Sequence, residues 1–354
     1  MAKKKTETAI REIFAKQAEW CTKLGSPFTA RLCEAIGPNL DGSTGTGRRI
    51  LDWPAGPDLS DEAVPLRLAG GLHALVRADR LEALARLYPP NPLPSAEALW
   101  AAVSEALVAA EPELLPWLDS APQTNEVARA AVLMAGLLVI AAETRHKLAL
   151  YELGASAGLT LILDRYAYRL GSRHIGMPRS GVVLAPEWTG GDPPEAEIRV
   201  VHRRGTDLNP LDVTRPTDRD RALAYIWADQ ADRLARTEAA LAMAASDPPQ
   251  IDRDDAASWL ERQLTSDAPS GTTRVVLHSI ALQYFPPEAV ARITAHLEEL
   301  GRSATADAPL AWLRYERDPE AGGRPDLRLR LWPDRSDRVL ALADPHGGRI
   351  EWRG

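Results

Sequence analysis

Cysteine is nearly absent. Cys21 and Cys33 are the only two in 354 residues, and neither stands in a C-x-x-C or Cys/His spacing of the kind that holds zinc. A disulfide scaffold and a structural zinc module are thereby excluded, and free thiols in a reducing cytosol are expected. A cationic excess is missing too: the formal net charge is −7, which argues against a nucleic-acid backbone as the main partner. No apolar run is long enough for a bilayer. The longest, Ala130 to Ala142, is too short to cross one and suits a buried helix. Lys3, Lys4 and Lys5 have no apolar segment behind them, so no secretory signal is expected and the chain reads as cytoplasmic. Apolar residues at 45% and charged residues at 26% are ordinary globular usage, which excludes disordered, collagen-like and coiled-coil classes. The length is that of about two domains.

Up to about residue 146 the apolar residues recur at helical spacing. Helices are expected over 6–24, 62–87, 95–110 and 124–145, with loops over 37–58 and 88–94, where Gly, Pro, Asn and Asp gather. No strand is expected in this part, which reads as an N-terminal all-α cap over 1–146. From Lys147 short apolar runs alternate with helical stretches. Strands are expected at 148–153, 182–185, 198–202, 251, 274–281, 310–317, 327–331 and 339–343. Helices are expected at 157–166, 218–245, 259–264 and 286–300. Alternation of this kind predicts an α/β fold over 147–354, with a mostly parallel sheet and an antiparallel edge hairpin.

The stretch Tyr151-Glu152-Leu153-Gly154-Ala155-Ser156-Ala157-Gly158 lies where a strand is expected to meet a helix, and it admits two readings. Residues 154–158 spell G-x-S-x-G, the nucleophile elbow of α/β-hydrolases. That fold needs several strands before the elbow, and the preceding residues offer helices. An acid and a histidine must also follow, and Asp337 or Asp344 with His346 satisfy the order alone. Residues 152–158 also spell E-x-G-x-x-x-G, which resembles the first motif of Rossmann-like (class I) methyltransferases that use S-adenosylmethionine, with Ser156 in place of the middle glycine. Gly205-Thr206-Asp207-Leu208-Asn209-Pro210 is similar to that family's second-strand ending. Asp252-Arg253-Asp254-Asp255-Ala256 resembles its third, with Asp254 in place of glycine. The fourth strand, through His278-Ser279 to Gln283-Tyr284, has the shape of the substrate-facing motif.

Gly158 and Asp207 lie 49 residues apart, well over twice the roughly 20 residues usual in Rossmann sites. An insertion over 166–197 would account for this, and it makes Glu187 a competing ribose acid. The whole pattern, with Asn125-Glu126-Val127 and Trp227-Ala228-Asp229-Gln230, also resembles an uncharacterised bacterial family known as domain of unknown function 2332.

The methyltransferase resemblance implies S-adenosylmethionine as cofactor, no metal, and a small-molecule substrate methylated by in-line displacement, with neither nucleic acid nor membrane as partner. It implies cofactor contacts from Glu152, Gly154, Ser156, Gly158, Asp207 and Asp255. His278 would be the base and Tyr284 a catalytic partner, with Gln283, Asn125, Glu126 and Arg129 on the substrate. Plainer roles stand beside these. Ser156 would cap the following helix, Asp207 would start a turn, Asp254 and Asp255 would be solvated surface, and His278 would be a satisfied core histidine. A hydrolase or acyl transferase using Ser156, and a methyltransferase-like binding module without catalysis, are the alternative functions.

Overall fold

The computed structural model describes residues 2–54, 62–317, 323–334 and 336–354. The side chains of Lys3, Lys4 and Lys5, and residues 55–58 of the expected loop, lie outside the described residues. In chain order the elements begin with helices α1 (Ala2–Lys23), α2 (Pro27–Asn39), α3 (Gly45–Leu51), α4 (Val64–Arg77), α5 (Glu82–Ala85), α6 (Ala96–Ala109), α7 (Glu111–Leu114) and α8 (Arg129–Thr144). Strand β1 (Lys147–Leu153) is followed by four short ones, β2 (Ala167–Leu170), β3 (Arg173–Gly176), β4 (Val183–Leu184) and β5 (Glu187–Thr189). Next come β6 (Val200–Asp207), α9 (Pro216–Ala224), α10 (Ala231–Ser246), β7 (Gln250–Arg253), α11 (Ala256–Gln263), β8 (Thr272–Ser279) and α12 (Pro287–Ser303). The chain closes with β9 (Leu310–Arg317), β10 (Pro325–Trp332), β11 (Ser336–Ala343) and β12 (Arg349–Trp352).

The chain packs as two compact units, Met1–Thr124 with Arg215–Glu238, and Asn125–Thr214 with Ala239–Gly354. The first is built from helices, and its described residues contain no strand. Three features depart from the sequence expectation, the first being that the helix expected over 62–87 is α4 and α5, separated by residues 78–81. The expected loop over 37–58 holds α3, started by the Thr44 hydroxyl, which accepts from Gly47 N at 3.0 Å. The expected helix over 218–245 is instead α9 and α10, separated by Tyr225–Gln230. The break is held by Asp229, whose carboxylate accepts from Ser26 Oγ at 2.5 Å and Phe28 N at 2.8 Å. One aspartate thus ends a helical run and supports the start of α2.

The second unit is a mixed α/β body around a nine-stranded sheet in the order β5-β12-β11-β10-β9-β8-β1-β6-β7. From β7 to β9 every neighbouring pair is parallel. From β9 through β12 the pairs are antiparallel. Ranked by position in the chain, the parallel strands run 3-2-1-4-5, so the order reverses at β1, the topological switch point of a doubly wound sheet. β8 is buried along almost its whole length, as a strand covered on both faces must be. The apolar run Ala130–Ala142 is indeed a buried helix, α8. It approaches β9 closely at Gly136, where a Cβ would come within 2.5 Å of the Leu313 side chain. The expected insertion contains the β2–β3 hairpin and β4, which form a separate three-stranded sheet.

The largest departure follows β1. No α-helix spans 157–166; the chain instead makes successive tight turns, with Gly158 N bonding Ala155 O, Leu161 N bonding Gly158 O, and Arg165 N bonding Ile162 O. Only Leu163–Arg165 form a single turn of 3₁₀ helix. Gly158 sits at φ +70°, outside helical space.

Candidate functional site

The carboxyl ends of β1, β6 and β8 converge at the switch point, where open α/β sheets place their ligands. Gly154 and Ala155 both donate their N–H to Thr206 O at 2.9 Å, lashing the turn after β1 to β6. Gly154 is at φ +71° and Ser156 at φ +50°. The left-handed region suits glycine and costs a serine of the order of 1 kcal/mol. Ser156 is held there because its N–H donates to Asp207 Oδ2 at 2.9 Å. The other oxygen of Asp207 accepts from Asn209 N at 2.8 Å. The serine expected as a helix cap therefore has no helix to cap, and its backbone rather than its hydroxyl makes the bond that matters. A second non-glycine residue is left-handed at the end of the adjacent strand β8: Ile280, at φ +50°. Its N–H bonds Tyr315 O at 2.7 Å. For a β-branched residue this conformation is a genuine outlier, and such outliers gather at functional sites. The two turns touch, since a Cβ on Gly154 would lie 3.0 Å from Ala281 Cβ.

Several buried polar atoms around the β1 turn have no hydrogen-bond partner among the described residues: Ser156 Oγ, Asn125 Nδ2 and Glu152 Oε2. Asn125 reaches the turn because its Oδ1 accepts from Ala157 N at 3.2 Å. Glu152, on β1, is 2% exposed, and its Oε1 accepts from the Thr160 hydroxyl. Burial raises its carboxyl pKa to about 8; the Thr160 bond pulls the other way and the Asp207 charge adds to the rise. Glu152 is thus largely protonated at neutral pH, a carboxylic acid able to donate through an otherwise idle oxygen.

Gly158 has a different task from the one its place in the motif implies. The space a Cβ would take lies 2.7 Å from Pro249 Cγ and 2.8 Å from Ile251 Cδ1, so this glycine serves packing against the start of β7. Asp207 and Asp254 are neighbours, with Asp254 N bonding Asp207 O at 3.1 Å. Asp255 caps α11 by accepting from Ser258 N at 2.9 Å, and that bond is the main reason its pKa is lowered. Glu187 stands on β5, at the opposite edge of the sheet from β6 and β7, where it pairs with Arg349.

His278 does not present a base. It has no solvent exposure, its Nε2 accepts from Trp312 Nε1 at 3.0 Å, and its Nδ1 lies 2.6 Å from Glu316 Oε1. Indole N–H only donates, so Nε2 carries the lone pair and Nδ1 the proton. Both nitrogens are spent within the core. The reason is strand register: His278 pairs with Arg314, which puts Trp312 and Glu316, two residues to either side, on the same face. Glu316 Oε1 also accepts from Ala281 N at 3.0 Å, so this buried group shapes the β8 turn. Beyond it Gln283 and Tyr284 occupy a single 3₁₀ turn, and Tyr284 is 75% exposed.

Glu126 and Arg129 open α8. Glu126 Oε1 accepts from Ala128 N at 3.0 Å, and its Oε2 lies 3.6 Å from His346 Nδ1. Arg129 bonds Ser279 O and Pro345 O, each at 3.0 Å, stapling the end of β8 to the loop after β11. Thr160 and Glu316 escape a reading by motif; the turns after β1 bring the first to Glu152, and the pairing of β8 with β9 brings the second to His278. A cleft of about 560 Å³ in this unit is lined by α8, β3 and 194–198, and it contains none of the expected site residues. Against the hydrolase reading, no strand precedes β1 among the described residues and no base reaches Ser156 Oγ.

No curated protein and no solved structure matches the chain. The family described as an uncharacterised protein conserved in bacteria, DUF2332, matches residues 11–352, and the chain belongs to that family.

Proposed function

We propose that this protein is an S-adenosylmethionine-dependent methyltransferase that acts on a small molecule, with a Rossmann-like methyltransferase sheet and a helical N-terminal cap. One observation carries the reading. The turn at the carboxyl end of the middle parallel strand is held by the acid that ends the next strand, through the 2.9 Å bond from Ser156 N to Asp207 Oδ2, and buried donors and acceptors without partners among the described residues surround it. Ser156 adopts a left-handed backbone of the kind that suits glycine, which supports reading it as the residue that stands for the motif's middle glycine.

The residues fit such a cofactor in kind. Asn125 Nδ2, Ser156 Oγ and protonated Glu152 supply donors suited to a carboxylate. Asp207 uses one lone pair on each oxygen for backbone N–H groups and keeps the others for a pair of ribose hydroxyls. Asp255 leaves acceptor capacity beyond its capping bond. When bound, the cofactor would supply an electrophilic methyl group. The protein's part is alignment and exclusion of water, which contribute several kcal/mol to such displacements. Gln283 and Tyr284 stand where they can meet a substrate, and neither needs to be a strong base if the acceptor arrives as its own anion or neutral amine.

Calorimetry of the full chain with S-adenosylmethionine and S-adenosylhomocysteine tests this. Binding in the micromolar range, about −8 kcal/mol, is expected, weakened at least about tenfold in Asp207→Asn by loss of roughly 1.4 kcal/mol. Absence of heat with both ligands, together with no thermal shift, would overturn the reading. Tight binding of both without turnover across a panel of hydroxyl and amine acceptors would instead favour the binding module.

A further inference from the structure

The first unit brings together the only two cysteines of the chain. Cys21 lies in the last turn of α1 and Cys33 in the middle of α2. These helices pack so closely that a Cβ on Gly37 would meet Phe14 Cβ at 2.8 Å. Both cysteines are free thiols, 0% and 1% exposed. Cysteine serves readily as a small apolar core residue, but that role gives no reason for the two to meet. Here their thiols hydrogen-bond each other, and the Gln17 amide donates to Cys21 Sγ at 3.4 Å.

The contact makes the two sulfurs unequal. The Cys33 S–H lowers the pKa of Cys21; burial opposes this, and the Gln17 N–H adds to the lowering. Cys33 is pushed well above the ordinary thiol range by its bond with Cys21 and by burial. One sulfur is prepared to give up its proton and the other keeps its own, which is the division between an attacking and a resolving thiol. A way in lies beside them. A groove of about 770 Å³ between α1 and α2 is lined by Cys33, and by Ala18 and Thr22, which flank Cys21 on its own helix. Hydrogen peroxide is little larger than water, so the groove can admit it and let the product water leave.

We propose that Cys21 and Cys33 are a reversible oxidation site, closing to a disulfide when the protein meets a hydroperoxide. The Cys21 thiolate attacks one peroxide oxygen. The S–O bond forms, the O–O bond breaks, and the departing oxygen takes up the proton that Cys21 released, leaving as water or an alcohol. Cys33 then attacks the sulfenic sulfur. The S–S bond forms, the S–O bond breaks, and the hydroxyl leaves as water with the Cys33 proton. The dithiol loses two electrons overall and the peroxide gains them; a thiol reductant reverses the bond by exchange. None of these residues belongs to the proposed cofactor site, so the assignment stands if the methyltransferase reading falls.

The test exposes the reduced full chain to hydrogen peroxide, then counts thiols with dithionitrobenzoate in guanidinium and reads the intact mass. Both thiols are expected to disappear together in a monomer lighter by two hydrogens, and dithiothreitol is expected to restore them. The oxidised chain should melt higher, because closing the loop restrains the unfolded chain. Cys33→Ser keeps a donor to Cys21 but removes the resolving thiol, so peroxide should leave a sulfenic acid that dimedone traps. Cys21→Ser should react at least about tenfold more slowly than Cys33→Ser, because its remaining thiol holds its proton. Thiols that survive excess peroxide, oxygen retained on either cysteine of the wild type, or dimers linked through cysteine would overturn the assignment. Equal rates in the two serine variants would do the same. If a serine variant fails to fold, the thiol count and mass of the wild type decide.

Discussion

At the scale of single residues, Glu152 is the most consequential group in the second unit. Its folded pKa of about 8 stands above the ordinary 4.5. Between those values the unfolded chain has released the proton that the folded chain still holds, so stability falls as pH rises through this window. The whole effect is of the order of 5 kcal/mol at 1.36 kcal/mol per pKa unit. Glu152→Gln keeps the acceptor for Thr160 and cannot ionise. The variant should therefore gain on wild type steadily from pH 5 to pH 8.5, as measured by urea midpoints; a constant difference across that range would show that Glu152 is ionised in the fold. Sequence alone marked Glu152 as an acid in a glycine turn, but not as a protonated one, because burial by Thr160 and the neighbouring strands is a property of the sheet. His278 teaches the same lesson in reverse. Its position at the end of a strand was legible, while its two partners, Trp312 and Glu316, become visible only through the register of β8 against β9.

At the scale of elements, long buried strands were legible and the turn after β1 was not. β9 was read with its bounds, and β8, β10 and β11 within a few residues, because runs of buried apolar residues constrain little else. The run through Leu159, Leu161, Ile162 and Leu163 has equal apolar weight and is equally buried. It forms tight turns because Gly158 is left-handed and packed against Pro249 and Ile251. Burial does not by itself select a helix. The short, half-exposed β2, β3, β5 and β12 carried no alternation strong enough to find. The turn itself gives a direct prediction. Ser156→Gly removes a left-handed serine and an idle buried hydroxyl while leaving the N–H that meets Asp207. It should stabilise the chain by about 1 kcal/mol, read as a higher urea midpoint with unchanged slope. Destabilisation would mean that the serine hydroxyl has a partner it needs.

At the scale of the whole molecule, the change of texture near residue 147 was legible, but the discontinuity of the first unit was not. Its last segment, Arg215–Glu238, is contributed from beyond β6. Nothing local announces this, since Tyr225 against Gly70 and Asp229 on Ser26 are contacts across most of the unit's sequence. Residues 1–124 expressed alone lack both contacts and should show no cooperative urea transition; a sigmoidal transition with a slope of about 1–3 kcal/mol/M, typical of a small folded domain, would refute that. The same discontinuity has a temporal side. A ribosome extending the chain at about 5–20 residues per second delivers the first seven helices well before the segment that completes them. During that interval, on the order of ten seconds, the unit's apolar interior has no lid of its own, while the first strands of the sheet are already emerging. The order of synthesis therefore makes the N-terminal helices the part of this protein most in need of a chaperone's protection.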